Sequence, residues 1–182
     1  MNKVLIILAP GFEEIEAITV IDILRRANID AKVVGLEDEL VSGSHNILIK
    51  CDSTLGRIDV HEFSHLVLPG GQPGTNNLKN NKQVIDLINN FYKQNKIIAA
   101  ICAAPTVLQA AGILAGKKIT SYPAERETFT SSTYLDQNVV SDKNIITSRG
   151  VGTAIDFALA LVENIVNKGK RAVIAKKILW PA

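Results

Sequence analysis

Cysteine is scarce in this chain, since only Cys51 and Cys102 occur among 182 residues, which excludes a disulfide-stapled secreted scaffold. Long apolar runs are also missing. The one near the start ends at Pro10-Gly11, well short of the roughly 20 residues that cross a membrane, and it has no small-residue signal-peptide cleavage site. We therefore expect a cytoplasmic protein with two reduced thiols and no membrane partner.

An excess of one charge is absent as well, because 20 basic residues face 18 acidic ones. The charges are interspersed, and the basic residues near the end of the chain are typical of a solvated helix face, so we expect no nucleic-acid partner. Of the three histidines, His61 and His65 lie four residues apart, but no third ligand is evident and we expect no metal. With 47% hydrophobic residues, the chain is predicted to fold as one globular domain over residues 1–182.

Strand and helix patterns alternate along the chain. Strands are predicted at 3–9, 31–36, 66–68, 97–101, 114–121, 138–141 and 144–147, and helices at 13–27, 81–95, 105–111, 153–166 and 170–179. Residues 40–52 suggest a small antiparallel excursion. This alternation predicts an α/β fold with a doubly wound, mostly parallel sheet and helices on both faces.

Three loops are expected to carry the chemistry, because ligands of such folds bind outside the carboxyl ends of the strands. These loops are residues 10–16, 69–75 and 102–106. Cys102 follows an apolar strand and precedes a helix, a position that resembles a nucleophile elbow. The helix dipole would lower the pKa of this thiol. The alternative is a small buried residue among alanines, which is also our interpretation of Cys51.

Glu16 begins an apolar flank of the first predicted helix, so its carboxyl could be partly buried, with a raised pKa. A protonated Glu16 could then donate a hydrogen bond to the sulfur of Cys102 and later move protons for a substrate. The alternative is a solvated glutamate. Gly70 and Gly71 could bring backbone amides close to an oxyanion, or could form only a tight turn.

Four segments together resemble the ThiJ/PfpI superfamily, on the branch of the Parkinson-associated protein deglycase and bacterial YajL. They are GFEEIE at 11–16, LPGG at 68–71, AAICAAP at 99–105 and TSRGVGTAIDFALALVE at 147–163. The resemblance implies a flavodoxin-like homodimer in which Cys102 is the reactive cysteine and Glu16 is its protonated partner. It further implies that the amides of Gly71 and Ala103 form an anion hole.

The activity implied by this resemblance is the cofactor-free conversion of glyoxal or methylglyoxal to a hydroxy acid, with repair of early glycation adducts during stress. Two residues depart from relatives of this superfamily. Tyr122 stands where several relatives place a histidine near the cysteine, which argues against a histidine proton shuttle. Ala103 stands where the protease-like branch has a histidine, which argues against peptidase activity.

Three hypotheses follow for Cys102. The first is a glyoxalase or protein deglycase in which the thiolate adds to an aldehyde carbonyl. The second is a redox sensor or holdase chaperone, in which Cys102 oxidises to a sulfinate held by Glu16. The third is a cysteine hydrolase, which would need a histidine beside the sulfur.

Overall fold

The structure, a computed structural model that describes residues 2–181, alternates strands with helices. The strands are β1 (Lys3–Leu8), β2 (Asp30–Gly35), β3 (Leu40–Ser42), β4 (Leu48–Lys50), β5 (Ser53–Thr54), β6 (His65–Leu68), β7 (Ile97–Ile101), β8 (Lys118–Ile119), β9 (Thr133–Tyr134), β10 (Val139–Asp142) and β11 (Ile145–Ser148). The helices are α1 (Glu14–Arg26), α2 (Gly74–Asn80), α3 (Lys82–Lys93), α4 (Pro105–Ala110), α5 (Ala154–Ile165) and α6 (Lys168–Lys177). Short 3₁₀ helices lie in several connections.

The central sheet has seven strands in the order β10, β11, β7, β6, β1, β2, β5. All neighbouring pairs are parallel except β10 with β11. After β1 the chain adds β2 on one side, and β6 later pairs with the other side of β1. The strand order therefore reverses between β1 and β6, which places the loops that follow these strands at the switch point. The predicted doubly wound fold is confirmed.

Strand β1 is apolar from Val4 to Leu8 because both of its faces are buried. Val4, Ile6 and Leu8 pack into the core under α1, α5 and α6. The alternate residues Leu5 and Ile7 pack into the core on the opposite face, with α3 and α4. A strand that is buried on both faces cannot alternate between apolar and polar residues, and this is the parallel-sheet pattern.

The antiparallel excursion predicted in residues 40–52 is present as a hairpin. Strands β3 and β4 pair antiparallel from Leu40 opposite Lys50 to Ser42 opposite Leu48. The hairpin stands apart from the central sheet, and β5 then rejoins that sheet beside β2.

The strand predicted at 114–121 is wrong in both its extent and its place. Only Lys118–Ile119 are extended, and they pair with β9 in a separate two-stranded sheet. The edge of the central sheet is occupied instead by β10, because β10 and β11 form a tight hairpin whose turn contains Lys143 at φ 56°. Closing this local hairpin costs little loop entropy, which favours β10 at the edge of the sheet.

Helix α2 is absent from the helices that periodicity predicts. Its sequence GTNNLKN has one large apolar residue, Leu78, which is buried in the core beside α3. One inward-facing residue is too few for a helical period to be visible. Among residues 2–181 no helix is long and apolar enough to cross a membrane.

His65 begins β6 and is only 6% exposed. Its Nδ1 lies 2.8 Å from the hydroxyl of Ser64. Burial lowers the pKa of His65 to about 4, so the folded protein keeps this ring neutral where the unfolded chain binds a proton.

We predict that the free energy of unfolding falls as the pH drops from about 6.5 to about 4, and that His65 contributes on the order of 2 kcal/mol to this loss. The stability that the neutral His65 ring contributes is present above the pKa of His65 in the unfolded chain, about 6.5. It is lost as the pH falls to the pKa of His65 in the folded protein, about 4. Urea unfolding of His65→Gln should show a flatter pH dependence across this window. His61→Gln, at an exposed histidine, is the control, and identical slopes in all three proteins would contradict the prediction.

Candidate active site

Cys102 occupies the sharp turn between β7 and α4 in a left-handed backbone conformation, with φ 64°. Two backbone hydrogen bonds hold it there. The Cys102 N–H donates to Ser148 O at 3.0 Å, and the Cys102 carbonyl accepts from the Tyr122 N–H at 2.8 Å. A non-glycine residue rarely adopts this conformation unless its surroundings enforce it, and such residues cluster at functional sites.

Glu16 lies in the first turns of α1 and is fully buried, so the alternative of a solvated glutamate is wrong. Its Oε2 accepts the Gly70 N–H at 2.9 Å. Its Oε1 accepts no hydrogen bond from a nitrogen or oxygen atom of residues 2–181. The carboxyl is therefore held on one side by the loop after β6 and left with a free oxygen on the other.

The absence of a side chain at Gly70 allows Cys102 and the Glu16 carboxyl to lie close together. A Cβ at this position would lie 2.6 Å from Cys102 Cβ and 2.8 Å from Glu16 Oε2. Both distances are shorter than real Cβ contacts permit, so any side chain would push the cysteine turn and the carboxyl apart. The loops after β1, β6 and β7 consequently converge at one point.

The amides of Gly71 and Ala103 both donate toward the Cys102 sulfur and favour its anion. Gly71 adopts φ 91°, and a Cβ there would lie 2.3 Å from Glu13 N. This close approach requires glycine. The structure thus places Gly70, Gly71 and Ala103 around the sulfur, in a geometry suited to an anion hole.

Burial raises the pKa of Glu16 to about 7, against the lowering effects of the Gly70 N–H and the Cys102 thiol. Burial also raises the pKa of Cys102 to about 12, with the charge of Glu16 as the next cause. The two groups titrate as a pair. They lose one proton near neutral pH and keep the second to high pH.

Our expectation of a lowered pKa for Cys102 is wrong for the state in which Glu16 is ionised. The helix that follows the cysteine has only six residues, and the two amide donors do not outweigh burial and a neighbouring carboxylate. A thiolate forms readily only when Glu16 holds the shared proton, because the pair then carries a single charge.

An open cleft of about 290 Å³ surrounds the sulfur. Its walls are Cys102, Tyr122, Pro123, Arg149, Gly150, Val151, Gly152 and Thr153. A larger groove of about 760 Å³ lies between β10 and the helices α5 and α6. That groove contains no cysteine and lies away from Glu16, so we place the chemistry in the smaller cleft.

Comparison with known proteins identifies the family of the chain. The model of the DJ-1/PfpI family matches residues 2–164, a span that contains Glu16, Gly71 and Cys102. The chain belongs to the DJ-1/PfpI family.

Relatives cover almost the whole chain. Protein dj-1beta of Drosophila melanogaster is 43% identical over 181 residues, covering 98% of this chain and 97% of that protein. The glutathione-independent glyoxalase DJR-1.2 of Caenorhabditis elegans is 35% identical over 180 residues, covering 97% and 96%.

Solved structures agree with the fold. The crystal structure of Drosophila melanogaster DJ-1beta superposes with a TM-score of 0.96 at 42% identity, over 100% of both chains. The structure of oxidized Toxoplasma gondii DJ-1 also gives a TM-score of 0.96, at 35% identity and over 100% of both chains.

A second polar cluster, which sequence reasoning missed, joins α1 to the β3–β4 hairpin. Glu14 Oε2 lies 2.9 Å from His45 Nδ1, and Glu14 Oε1 accepts the His45 N–H at 2.6 Å. With Glu13 these residues bring three possible metal-ligand atoms within 4.8 Å of one another. The 31 residues that separate Glu14 from His45 hid this cluster.

Hydrogen bonds account for the cluster without a metal ion. Burial alone would raise the pKa of Glu14, but hydrogen bonds from His45 and Ser44 hold it at about 2. The same carboxylate raises the pKa of His45. An ion pair therefore fastens the hairpin to the helix that carries Glu16.

Cys51 contrasts with Cys102. It is 3% exposed, and burial raises its pKa to about 11. This environment agrees with the prediction of an inert thiol.

We predict that the alkylation rate of Cys102 by iodoacetamide rises with pH through about 7 and then levels off, because the first proton leaves the pair there. A free thiol would instead gain rate up to about pH 8.5 and beyond. Rates measured in Cys51→Ser isolate Cys102. A rate that keeps rising up to about pH 9 would contradict a shared proton.

Proposed function

We propose that this protein is a cofactor-independent glyoxalase and deglycase that uses Cys102 as its nucleophile and Glu16 as its proton carrier. The observation that carries this proposal is the buried carboxyl of Glu16 beside a half-buried cysteine that also receives two backbone N–H groups. The name of the relative DJR-1.2, glutathione-independent glyoxalase, supports the same reaction class.

In the first step the Cys102 thiolate adds to the aldehyde carbon of methylglyoxal. A carbon–sulfur bond forms, the carbonyl π bond breaks, and its electron pair moves to oxygen. The amides of Gly71 and Ala103 stabilise that oxyanion, and Glu16 delivers the shared proton to it. The product of this step is a hemithioacetal, and Glu16 is left ionised.

In the second step the ionised Glu16 removes the hydrogen of the former aldehyde carbon as a proton, which gives an enediol, and returns it to the neighbouring carbon. The proton of the hemithioacetal hydroxyl moves to the oxygen of the neighbouring carbon, so that the first carbon becomes a thioester carbonyl. The aldehyde carbon is oxidised and the neighbouring carbonyl is reduced within one molecule, so no external oxidant is required. Water hydrolyses the resulting thioester to lactate and restores the Cys102 thiolate. Of the two protons released, one returns to the Glu16 carboxylate and the other enters the solvent. Glyoxal gives glycolate by the same sequence.

Deglycation follows from the same chemistry. Early glycation adducts of amines and thiols revert to the free aldehyde, so consumption of the aldehyde frees the modified group. The half-exposed Tyr122 and the exposed Val151 leave the mouth of the cleft open to an adduct carried by another protein.

We predict that purified protein, without glutathione or added metal, converts methylglyoxal to lactate. Cys102→Ser and Glu16→Gln should each lower kcat at least about a hundredfold, because general acid–base catalysis alone contributes this much. Cys51→Ser is the matched control and should retain turnover. Full turnover in Cys102→Ser would overturn the assignment of the nucleophile.

The alternative is a redox sensor or holdase in which Cys102 is oxidised to a sulfinate. The observation that favours it is the similarity to a DJ-1 structure described as oxidized, since the amides that hold an oxyanion would equally hold sulfinate oxygens. Catalytic turnover separates the two functions. Selective oxidation of Cys102 by dilute peroxide, without turnover of dicarbonyls, would favour the sensor.

The third hypothesis, a cysteine hydrolase, required a histidine next to the sulfur. Within residues 2–181 the wall of the cleft has Tyr122 at this place and no histidine. The hydrolase hypothesis therefore has no support from the site.

We also propose that the protein is cytoplasmic, because two free thiols favour a reducing compartment. We further propose that it is a homodimer. Five large apolar side chains are 40–60% exposed on α1 and on the adjoining hairpin. They are Ile15, Ile18, Leu40, Ile47 and Leu48. A twofold contact through α1 and the hairpin would cover these exposed apolar side chains on both copies.

We predict that Ile18→Asp combined with Ile47→Asp shifts the protein from dimer to monomer, because each copy would bury the introduced carboxylates. Light scattering across a concentration series measures the shift. Val173→Asp, at an exposed apolar residue on α6, is the control and should leave the mass unchanged. A parent protein that is monomeric at all concentrations would refute the dimer.

A further inference from the structure

An unfilled space next to Gly150 lies at the reacting centre. A Cβ on Gly150 would lie 3.7 Å from Cys102 Sγ, 3.8 Å from Glu16 Oε1 and 3.7 Å from Tyr122 Cδ2. The three groups therefore border one small space in the cleft, next to the Cα of Gly150.

The second observation is the free oxygen of Glu16. Oε1 is buried, accepts no hydrogen bond from a nitrogen or oxygen atom of the described residues, and faces the space beside Gly150. A buried oxygen without a partner costs free energy. A substrate hydroxyl or carbon-bound hydrogen placed in this space would supply the missing partner.

The third observation is that Tyr122 and Val151 form one wall of the cleft. The ring of Tyr122 is in contact range of the Gly150 position, and the Tyr122 residue is 50% exposed. Val151, 41% exposed, lies on the same wall of the cleft. A group attached to a carbon beside Gly150 would therefore meet an aromatic and an aliphatic surface as it leaves the site.

We propose that the Tyr122 ring, which borders the cleft beside Cys102, is a specificity wall that selects α-oxoaldehydes bearing an apolar substituent over unsubstituted glyoxal. The wall is a property of this chain, because a histidine ring at residue 122 would be more polar and would offer less apolar area. This inference rests on the proposed glyoxalase function. The second experiment below tests the role of the Tyr122 ring without requiring turnover of a dicarbonyl.

The first experiment measures kcat/KM for glyoxal, methylglyoxal and phenylglyoxal in the parent protein, Tyr122→Ala and Tyr122→Phe. Ring contacts change affinity modestly, so the phenylglyoxal to glyoxal ratio should fall roughly three- to tenfold in Tyr122→Ala. Tyr122→Phe keeps the ring and should keep this ratio within about twofold of the parent value. An unchanged ratio in Tyr122→Ala, or an equal loss in Tyr122→Phe, would overturn the role of the ring.

The second experiment uses the hydroxy-acid products as probes of the same cleft. Mandelate should slow alkylation of Cys102 by iodoacetamide more than glycolate does at equal concentration. This difference should disappear in Tyr122→Ala and persist in Tyr122→Phe.

The two experiments separate the two proposals. A parent protein that turns over no dicarbonyl but shows selective protection by mandelate would refute the enzyme and keep the specificity wall. Equal protection by mandelate and glycolate in the parent protein would refute the wall, whatever the turnover.

Discussion

The missing side chain at Gly70 is the constraint on which the site depends. The N–H of Gly70 holds Glu16 Oε2 at 2.9 Å, and its Cα surface leaves just enough room for the turn that contains Cys102. The three groups come from different strand ends, because β6 lies between β1 and β7 in the sheet. Parallel strands bring their carboxyl ends to one edge, so a single glycine after the middle strand sets the distance between Cys102 and the Glu16 carboxyl.

This arrangement has an electrostatic consequence. Burial of Glu16 penalises its ionised form, and burial of Cys102 penalises the thiolate. Two negative charges in one small pocket are disfavoured further, so the pair retains one proton across the neutral range. The state with a protonated carboxyl and a thiolate is the one suited to addition to a carbonyl. The state with an ionised carboxyl is suited to removal of a carbon-bound hydrogen, and the first step generates it.

Much of this could be predicted from sequence because apolar patterning is a local signal. The continuous run of β1 and the turn at Cys102 were visible in the residue order, and the four matching motifs pointed to Glu16, Gly71 and Ala103. Short elements with one inward-facing residue, such as α2 with Leu78, leave no readable period. The sequence does not show which segment lies at the edge of the central sheet. The edge strand is β10, and residues 114–121 lie outside that sheet.

The pKa of Cys102 could not be predicted from the sequence either, because it depends on how deeply the sulfur is buried and on a carboxylate that lies 86 positions earlier in the chain, at Glu16. The ion pair of Glu14 with His45 is likewise a contact between distant segments. Apolar patterning along the sequence predicts helices and strands. The protonation of Cys102 and Glu14 instead depends on distances between side chains on separate loops and helices.

Rapid acid quenching of the protein mixed with methylglyoxal, followed by mass spectrometry of the peptide containing Cys102, tests the central claim most directly. The account predicts a transient gain of one methylglyoxal mass on Cys102, which decays as lactate accumulates, with Cys51 unmodified. Lactate formation while Cys102 stays unmodified at every time point would contradict covalent catalysis by this cysteine.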